Sequence, residues 1–238
     1  MNIKDVTLGK LAVAGLLFSS LTPYNNSLVN FRSAIGDRID LTIQEHRDAM
    51  MKWLNDWGCR HLSKDQHQVA SQSILDWYQT NCSTLFSEKK PLWQLEDQEI
   101  ETAANAYGSL KDRKGARRSR YGNDSEVRIG ATSASKILFA IRPKAMMPWD
   151  EAMRKSFACD GSPQSYAGYL NTIRHLTLHF ETLCRSKGFQ IDYLPERIGR
   201  PNSTVLELIN EYVWVTKTRT REIILPSSET LLRWASLG

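Results

Sequence analysis

The residues with the clearest chemical potential lie in one stretch, IGATSASKILFAIRPKAMMPWDEAMRKSF, at positions 129–157. Gly130, Ala131, Thr132 and Ser133 carry little bulk, so the backbone N–H groups of a helix that starts there can approach a phosphate closely. The helix dipole favours an anion at the same place. Asp150 follows 20 positions after Gly130, and its carboxylate can stabilise developing positive charge or orient a water molecule. The stretch therefore combines an anion-binding helix start with a candidate catalytic carboxylate.

Two helices must position these groups. An apolar stripe at helical spacing predicts a helix that opens after the small residues and ends before Pro143, because proline disfavours helical geometry in the residue before it. The stripe consists of Ala134, Ile137, Leu138 and Ile141. Asp150 begins the next helical pattern, and aspartate is also a preferred N-cap. Capping alone is therefore a second explanation for Asp150.

The basic charge of the chain is concentrated in one segment. Residues 111–120, KDRKGARRSR, carry six cations and one acid, a net charge of +5, and the formal net charge of all 238 residues is also +5. A segment of this composition, with Gly115 inside it, is typical of a loop. Arg117, Arg118 and Arg120 either contact a polyanion there or belong to a solvated basic turn.

The rest of the chain predicts an all-α protein. Residues 11–18 are apolar but fall far short of the ~20 needed to span a bilayer, and they indicate a buried helix. Ser203 is a candidate N-cap for the last long stripe, and residues 221–225, REIIL, are the only strand-like segment. Further apolar stripes at helical spacing predict helices within 50–57, 166–180 and 205–213.

Composition indicates a globular protein without a bound metal. Hydrophobic residues make up 41% and charged residues 24% of the sequence, and no Gly/Ser-rich or Pro-rich linker divides it. The four cysteines have no metal-binding spacing, which favours reduced thiols in a cytoplasmic protein. His175 and His179 lie one helical turn apart, but Leu176 stands where a zinc protease carries glutamate. We expect neither a metal nor a cofactor.

The stretch at 129–157 resembles the signature of the helix-hairpin-helix DNA glycosylase superfamily, in which a glycine-containing hairpin opens a helix and a Pro-x-Asp element follows. Gly130 matches the second glycine of that hairpin, Arg128 stands where the first glycine is expected, and Pro148-Trp149-Asp150 matches the Pro-x-Asp element. The resemblance implies a two-lobed all-α fold with a cleft between the lobes. One lobe would be a helical barrel at 36–145 that ends in the hairpin, and the other would combine 1–35 with 146–238.

The resemblance also implies an activity. The expected reaction is hydrolysis of a base–sugar bond in DNA, with Asp150 as the catalytic residue and double-stranded DNA with a flipped nucleotide as the partner of a monomer. Bifunctional members carry a lysine where this chain has Thr132, so a monofunctional enzyme that leaves an abasic site is predicted. Lys136 lies two positions from the buried stripe at Ala134, which predicts that it points to solvent or phosphate.

Two other functions fit the sequence. The first is a non-catalytic DNA-binding protein with the same hairpin, and the second is a helical interaction protein without a nucleic-acid role. The identity of the base also stays open. Damaged, mismatched and modified phage bases all fit, so the biological role is either DNA repair or antiviral defence.

Overall fold

The computed structural model describes residues 5–36, 38–60, 62, 67–120, 123–218 and 225–235. Within these ranges the chain is mostly helical, which confirms the all-α prediction in its main outline, and one antiparallel pair of strands joins the helices. The strands are β1 (Lys114–Arg120) and β2 (Asn123–Arg128). The helices are α1 (Leu8–Leu21), α2 (Tyr24–Ile35), α3 (Gln44–Asp56), α4 (His67–Asn81), α5 (Asp97–Lys111), α6 (Gly130–Ile141), α7 (Glu151–Ser156), α8 (Pro163–Ser186), α9 (Leu194–Arg197), α10 (Val205–Thr218) and α11 (Ser228–Ala235).

The core is one contiguous cluster of buried side chains to which α1–α10 all contribute. Helices α5 and α8 pack closely at their crossing, where a Cβ atom on Gly108 would lie 2.5 Å from Cγ of Pro163. Tyr107 reinforces this crossing by donating a hydrogen bond to the carbonyl of Gly161 at 2.9 Å. Helix α8 begins there because Ser162 caps it and Pro163 occupies its first position.

The two ends of the chain meet where α1 and α2 pack against α10. An ion pair between Arg32 and Glu207 holds α2 to α10, and a second pair, between Arg200 and Glu211, holds the segment before α10 to that helix. Glu207 and Glu211 are buried. Burial raises the pKa of Glu211 although Arg200 opposes the shift. Ser203 is not the N-cap of α10: the hydroxyl of Thr204 accepts the N–H of Glu207 at 3.2 Å and takes that role.

The predicted buried helix near the N-terminus is α1. Its inner side consists of Leu11, Ala14 and Phe18, whereas Leu16 is 74% exposed. Among the helices that the structure describes, none is long and apolar enough to cross a membrane.

The basic segment forms a strand rather than the predicted loop. Strand β1 pairs with β2 in an antiparallel hairpin, with an irregularity between Lys114 and Ala116. Gly115 fits this position because a Cβ atom would lie 2.8 Å from Leu62 Cδ2 and 3.0 Å from the carbonyl carbon of Arg128. The predicted strand at 221–225 lies almost wholly outside the described residues, which resume at 225.

Candidate functional site

The small residues at positions 130–133 form the start of α6. Helix α6 begins at Gly130, whose φ of 78° is in the left-handed region that favours glycine. The helix ends at Ile141, before Pro143, which confirms the predicted end, but it begins earlier than predicted, because the small residues 130–133 form its first turn instead of preceding it. Ser133 differs from the residues before it, because its side chain is fully buried and does not line the cavity that forms at the helix start.

Asp150 is the N-cap of α7, as its position in the sequence predicts. Its Oδ1 atom accepts the backbone N–H of Met153 at 2.7 Å. Within the part of the chain that the structure describes, no hydrogen bond to Asp150 Oδ2 is found. Capping therefore occupies one carboxylate oxygen and leaves the second for another partner.

A buried serine ties Asp150 to α6. The Ser135 hydroxyl oxygen accepts the backbone N–H of Trp149 at 3.2 Å and donates to the carbonyl of Thr132 at 3.0 Å. Tyr169 supports the same segment by donating to the carbonyl of Pro148 at 3.3 Å. Hydrogen bonds from Ser135 and Tyr169 to the segment before Asp150 thus fix the distance between the start of α6 and the Asp150 carboxylate.

Aromatic rings pack behind the carboxylate. Trp149 stacks on Tyr169 with ring centroids 5.2 Å apart, and it contacts Tyr166 and Tyr107 edge-on. Burial raises the pKa values of Tyr166 and Tyr169 well above the ordinary value for a phenol. These phenols therefore remain neutral and act as packing groups, not as acids or bases near neutral pH.

A cavity of about 390 Å³ opens in front of this cluster. Its first side, the α6–α7 wall, contains Gly130, Ala131, Thr132, Lys136, Pro148, Trp149, Asp150, Glu151, Met153 and Arg154. Its second side, the aromatic wall, contains Phe18, Tyr24, Trp57, Gly58, Cys59, Asn210 and Trp214. The structure thus brings Asp150, Gly130, Ala131, Thr132 and Lys136 together at one cavity.

The prediction that Lys136 faces solvent is wrong. Only 7% of the residue is exposed, and its Nζ atom donates a hydrogen bond to the carbonyl of Trp57. The ammonium also lies 5.4 Å from the centroid of the Trp57 ring. The error has a physical reason: every residue from Ser133 to Phe139 is buried, so this part of α6 has no solvent side to which a residue off the apolar stripe could turn.

Arg154 is a site residue that the sequence pattern does not predict. Its Nη1 atom donates to the hydroxyl oxygen of Thr132 at 2.9 Å, and its guanidinium lies 5.9 Å from the ring centroid of Trp149. A cation therefore stands beside the N–H groups at the start of α6. Lys155 is an equally good candidate from the sequence, since both cations lie in the same short helix, so no local signal distinguishes Arg154.

Sequence reasoning also misses the aromatic wall, since aromatic residues at helical spacing predict a core. Trp214 contacts Phe18 edge-on at 5.2 Å between centroids, and Trp57 donates from Nε1 to the carbonyl of Tyr24 at 3.0 Å. Asn210 lies on the same side of α10 as Glu207 and Glu211, off the apolar stripe, so the sequence pattern does not distinguish it from an ordinary polar surface residue. Its side chain is 7% exposed and, among the described residues, makes no hydrogen bond.

The basic hairpin adjoins this cavity, and none of its described side chains lines it. Strand β2 ends two positions before Gly130, and the N–H of Ile129 donates to the carbonyl of Arg113 at 2.8 Å. Arg117 is exposed on β1, whereas the side chains of Arg118 and Arg120 lie outside the described part of the structure. The predicted phosphate-contacting arginines thus belong to the element that leads directly into α6.

Comparisons with protein-family models, with curated proteins and with solved structures found no match. Groups of three or more His, Cys, Asp or Glu side chains with metal-binding geometry are absent from the described ranges. His179, one of the two spaced histidines, donates from Nε2 to the carbonyl of Val6 at 2.9 Å and so anchors the N-terminal segment.

Proposed function

We propose that the protein is a monofunctional DNA N-glycosylase, which hydrolyses the bond between a damaged or modified base and its sugar and leaves an abasic site. The observation that carries this proposal is the position of Asp150, whose carboxylate lines an aromatic-walled cavity beside the start of α6. A two-lobed helix-hairpin-helix arrangement, with lobes at 36–145 and at 1–35 plus 146–238, belongs to the same proposal.

The cavity suits a flipped nucleobase. An enzyme that acts on a base inside a duplex must first rotate the nucleotide out of the stack, and aromatic side chains then hold the base by stacking. Trp214 of the aromatic wall, which is partly exposed, offers such a surface. The volume of about 390 Å³ falls within the range of small-molecule sites, which is roughly 300–1,000 Å³.

Asp150 performs the chemistry in this proposal. Positive charge develops on the sugar as the base departs, and a carboxylate held against it stabilises that charge or orients the attacking water. Asp150 Oδ1 is held by the N–H of Met153, which leaves Oδ2 to face the sugar or the water. Since a carboxylate and a water molecule suffice for this reaction, it requires no cofactor.

The DNA backbone is held on the same side. The N–H groups of Gly130, Ala131 and Thr132 and the nearby guanidinium of Arg154 favour a phosphate beside the flipped nucleotide. The hairpin arginines, Arg117, Arg118 and Arg120, contact further phosphates of the duplex. In this proposal the enzyme acts as a monomer in the cytoplasm, in DNA repair or in defence against phage DNA with modified bases.

Incubation with duplexes that each contain one modified or mismatched base, followed by hot alkali, tests the proposal. We expect strand breaks at the modified position only after alkali, and only when Asp150 is intact. Tight binding to duplexes without base release would support the non-catalytic DNA-binding alternative. Absence of both binding and release would favour a protein-interaction role.

A further inference from the structure

Lys136 places a buried positive charge in the cavity without a carboxylate beside it. In the part of the chain that the structure describes, no Asp or Glu oxygen lies within ion-pair distance of its Nζ atom, and the carbonyl of Trp57 is its hydrogen-bond acceptor. An ammonium has three donors, and burial of an unpaired charge is costly. The remaining donors of Lys136 therefore call for an acceptor that enters the cavity.

Asn210 reaches the same cavity from α10 with an unused amide. Its side chain is nine-tenths buried, and no hydrogen bond to it occurs among the described residues. Because the amide lines the cavity and has no partner among these residues, its donor and acceptor are available to a ligand that enters. An amide offers a donor and an acceptor side by side, so its natural complement is a planar ligand with an acceptor next to a donor.

We infer that Lys136 and Asn210 select the substrate, and that the substrate class is a neutral base with an exocyclic carbonyl group, an oxo-purine or oxo-pyrimidine. This inference rests on the proposed function and names the base that the same cavity takes. The carbonyl oxygen accepts from Lys136, while the adjoining ring nitrogen and carbonyl of a lactam edge pair with Asn210. Lys136 decides the class, because an adenine edge also pairs with an amide but offers no carbonyl.

The charge of Lys136 also excludes a class of substrate. Alkylation of a purine ring nitrogen produces a cationic base, and a buried ammonium repels a second cation in the same cavity. Arg154 adds a further positive charge to the α6–α7 wall. The acidic groups of this wall do not neutralise Lys136, since Asp150 takes the sugar side and Glu151 is exposed and pairs with Lys155 at 2.6 Å.

Binding of nucleosides measures this selection without any need for catalysis. Inosine and 7-methylinosine differ by one methyl group and, at about pH 5.5, by one positive charge. Titration of each into the wild-type protein, followed by tryptophan fluorescence from Trp57, Trp149 and Trp214, should give quenching by inosine at concentrations at least tenfold lower than those needed for 7-methylinosine. Equal affinities, or no quenching by inosine, would overturn the inference.

Two variants assign the selection to its residues. Lys136→Met keeps the side-chain length without the charge, and Asn210→Leu keeps the volume without the amide. Each should weaken inosine binding about 10- to 100-fold, the range expected when a hydrogen bond to a charged or otherwise unpaired group is removed. Lys136→Met should also reduce the difference between the affinities for inosine and for 7-methylinosine. Lys52→Met, which changes an exposed lysine of α3, should leave both affinities unchanged. Wild-type affinity in both cavity variants would overturn the inference, and thermal melting would identify a variant that failed to fold.

Base release separates this inference from the proposed function. Duplexes with a single uracil, hypoxanthine or 8-oxoguanine should lose that base, whereas duplexes with 7-methylguanine should not. Release of the cationic base 7-methylguanine in preference to the neutral bases would contradict the inference and leave the glycosylase proposal standing. Selective binding of inosine without release of any base would overturn the glycosylase proposal while supporting the assignment of the cavity.

Discussion

The two walls of the cavity differ in origin and in the groups that they present. The α6–α7 wall comes from residues 130–154, and hydrogen bonds from Ser135 hold its two helix starts together. The aromatic wall combines helices from both ends of the chain, so that Phe18 and Trp214 become neighbours across almost two hundred positions. The first wall carries the carboxylate and the helix start, whereas the second carries flat surfaces and an amide. The catalytic carboxylate thus belongs to one wall, whereas recognition of the base draws on both, through Lys136 of the first wall and Asn210 of the second.

The aromatic wall depends on the packing of α10 against neighbouring segments of the chain. The ion pairs of Arg32 with Glu207 and of Arg200 with Glu211 hold α2 and the segment before α10 to α10. Gly15 allows α1 to approach, because a Cβ atom there would lie 3.0 Å from Glu211 Oε2. Changes to this wall should therefore act mainly on affinity for the base. Changes around Asp150 in the α6–α7 wall should act mainly on the rate of its release, whereas changes to Lys136 of that wall should act on affinity.

Loss of the Asp150 charge should have the largest effect. We expect Asp150→Asn to lower the rate of base release by about 10³-fold, the scale of a lost electrostatic stabilisation in a transition state, while DNA binding persists. Asparagine is a good N-cap, so the melting temperature should change little. Single-turnover rates and melting curves measure both effects.

Glu151→Gln is the matched control for this variant. Glu151 is the adjacent carboxylate and is exposed, so its replacement should leave base release within about threefold of wild type, the size of a minor surface electrostatic effect. Comparable losses in both variants would mean that net charge, and not the position of Asp150, controls the rate.

Removal of one stacking surface should have the next largest effect. Trp214→Leu should weaken binding of modified duplexes by about 10- to 100-fold, since one base–aromatic stack contributes roughly 1–3 kcal/mol. Unmodified duplexes should bind as before, because their bases stay in the stack. Fluorescence anisotropy with both duplex types measures the difference.

Trp93→Leu serves as the comparison for Trp214→Leu, since Trp93 does not line the cavity. If the two variants weakened binding of modified duplexes equally, the aromatic wall would have no special part in base recognition.

Ser135→Ala tests the connection within the α6–α7 wall. The variant leaves the buried N–H of Trp149 without its acceptor, which costs about 1–3 kcal/mol of unfolding free energy. Because Asp150 then loses its fixed position, the rate of release at saturation should fall roughly tenfold, the size of about 1.4 kcal/mol in the barrier, with little change in the DNA dissociation constant.

Ser156→Ala removes an exposed hydroxyl at the end of α7 and should change neither quantity. If Ser135→Ala lowered the melting temperature but left the rate at saturation unchanged, Ser135 would be a stability residue without a positioning role.

The hairpin should contribute affinity without affecting the reaction. Replacement of Arg117, Arg118 and Arg120 by alanine should flatten the salt dependence of binding, by roughly 0.9 in log–log slope for each phosphate that the variant no longer neutralises. All duplex sequences should be affected alike. An unchanged slope would mean that these arginines do not contact phosphates and belong to a solvated basic surface.

Trapping of a covalent adduct should be absent. Thr132 has no amine to condense with the sugar aldehyde, and Lys136 Nζ is engaged by the carbonyl of Trp57. Borohydride should therefore trap no protein–DNA adduct, and strands should break only after heat or alkali. Thr132→Lys combined with Arg154→Gln, which removes the neighbouring cation, should give a weak adduct.

Reactions with Lys136→Ala and with a blocked N-terminus identify the source of any unexpected amine. Efficient trapping by the wild-type protein that disappears in Lys136→Ala would mean that the enzyme is bifunctional through this lysine.

Gly130 and Asp150 of the α6–α7 wall could be predicted from the sequence because their signals are local. A left-handed glycine, a proline past a helix end and an aspartate before the next helix each act within a few residues. Lys136 and Asn210 could not be placed in this way, since the direction of a side chain on a helix buried on all sides depends on distant partners. The hairpin escaped prediction because β1 is rich in charged residues and, among its described residues, buries only Gly115 and Ala116. Separate lobes at 36–145 and 1–35 plus 146–238 stay a prediction.

The central claim is that the two walls together release a base from DNA, and the stoichiometry of the products tests it most directly. Single-turnover reactions with a duplex that contains one hypoxanthine should yield free hypoxanthine and abasic sites in equal amounts by mass spectrometry, and Asp150→Asn should yield neither while it still binds the duplex. Tight binding by the wild-type protein without free base from this duplex or from those with uracil and 8-oxoguanine would contradict the claim.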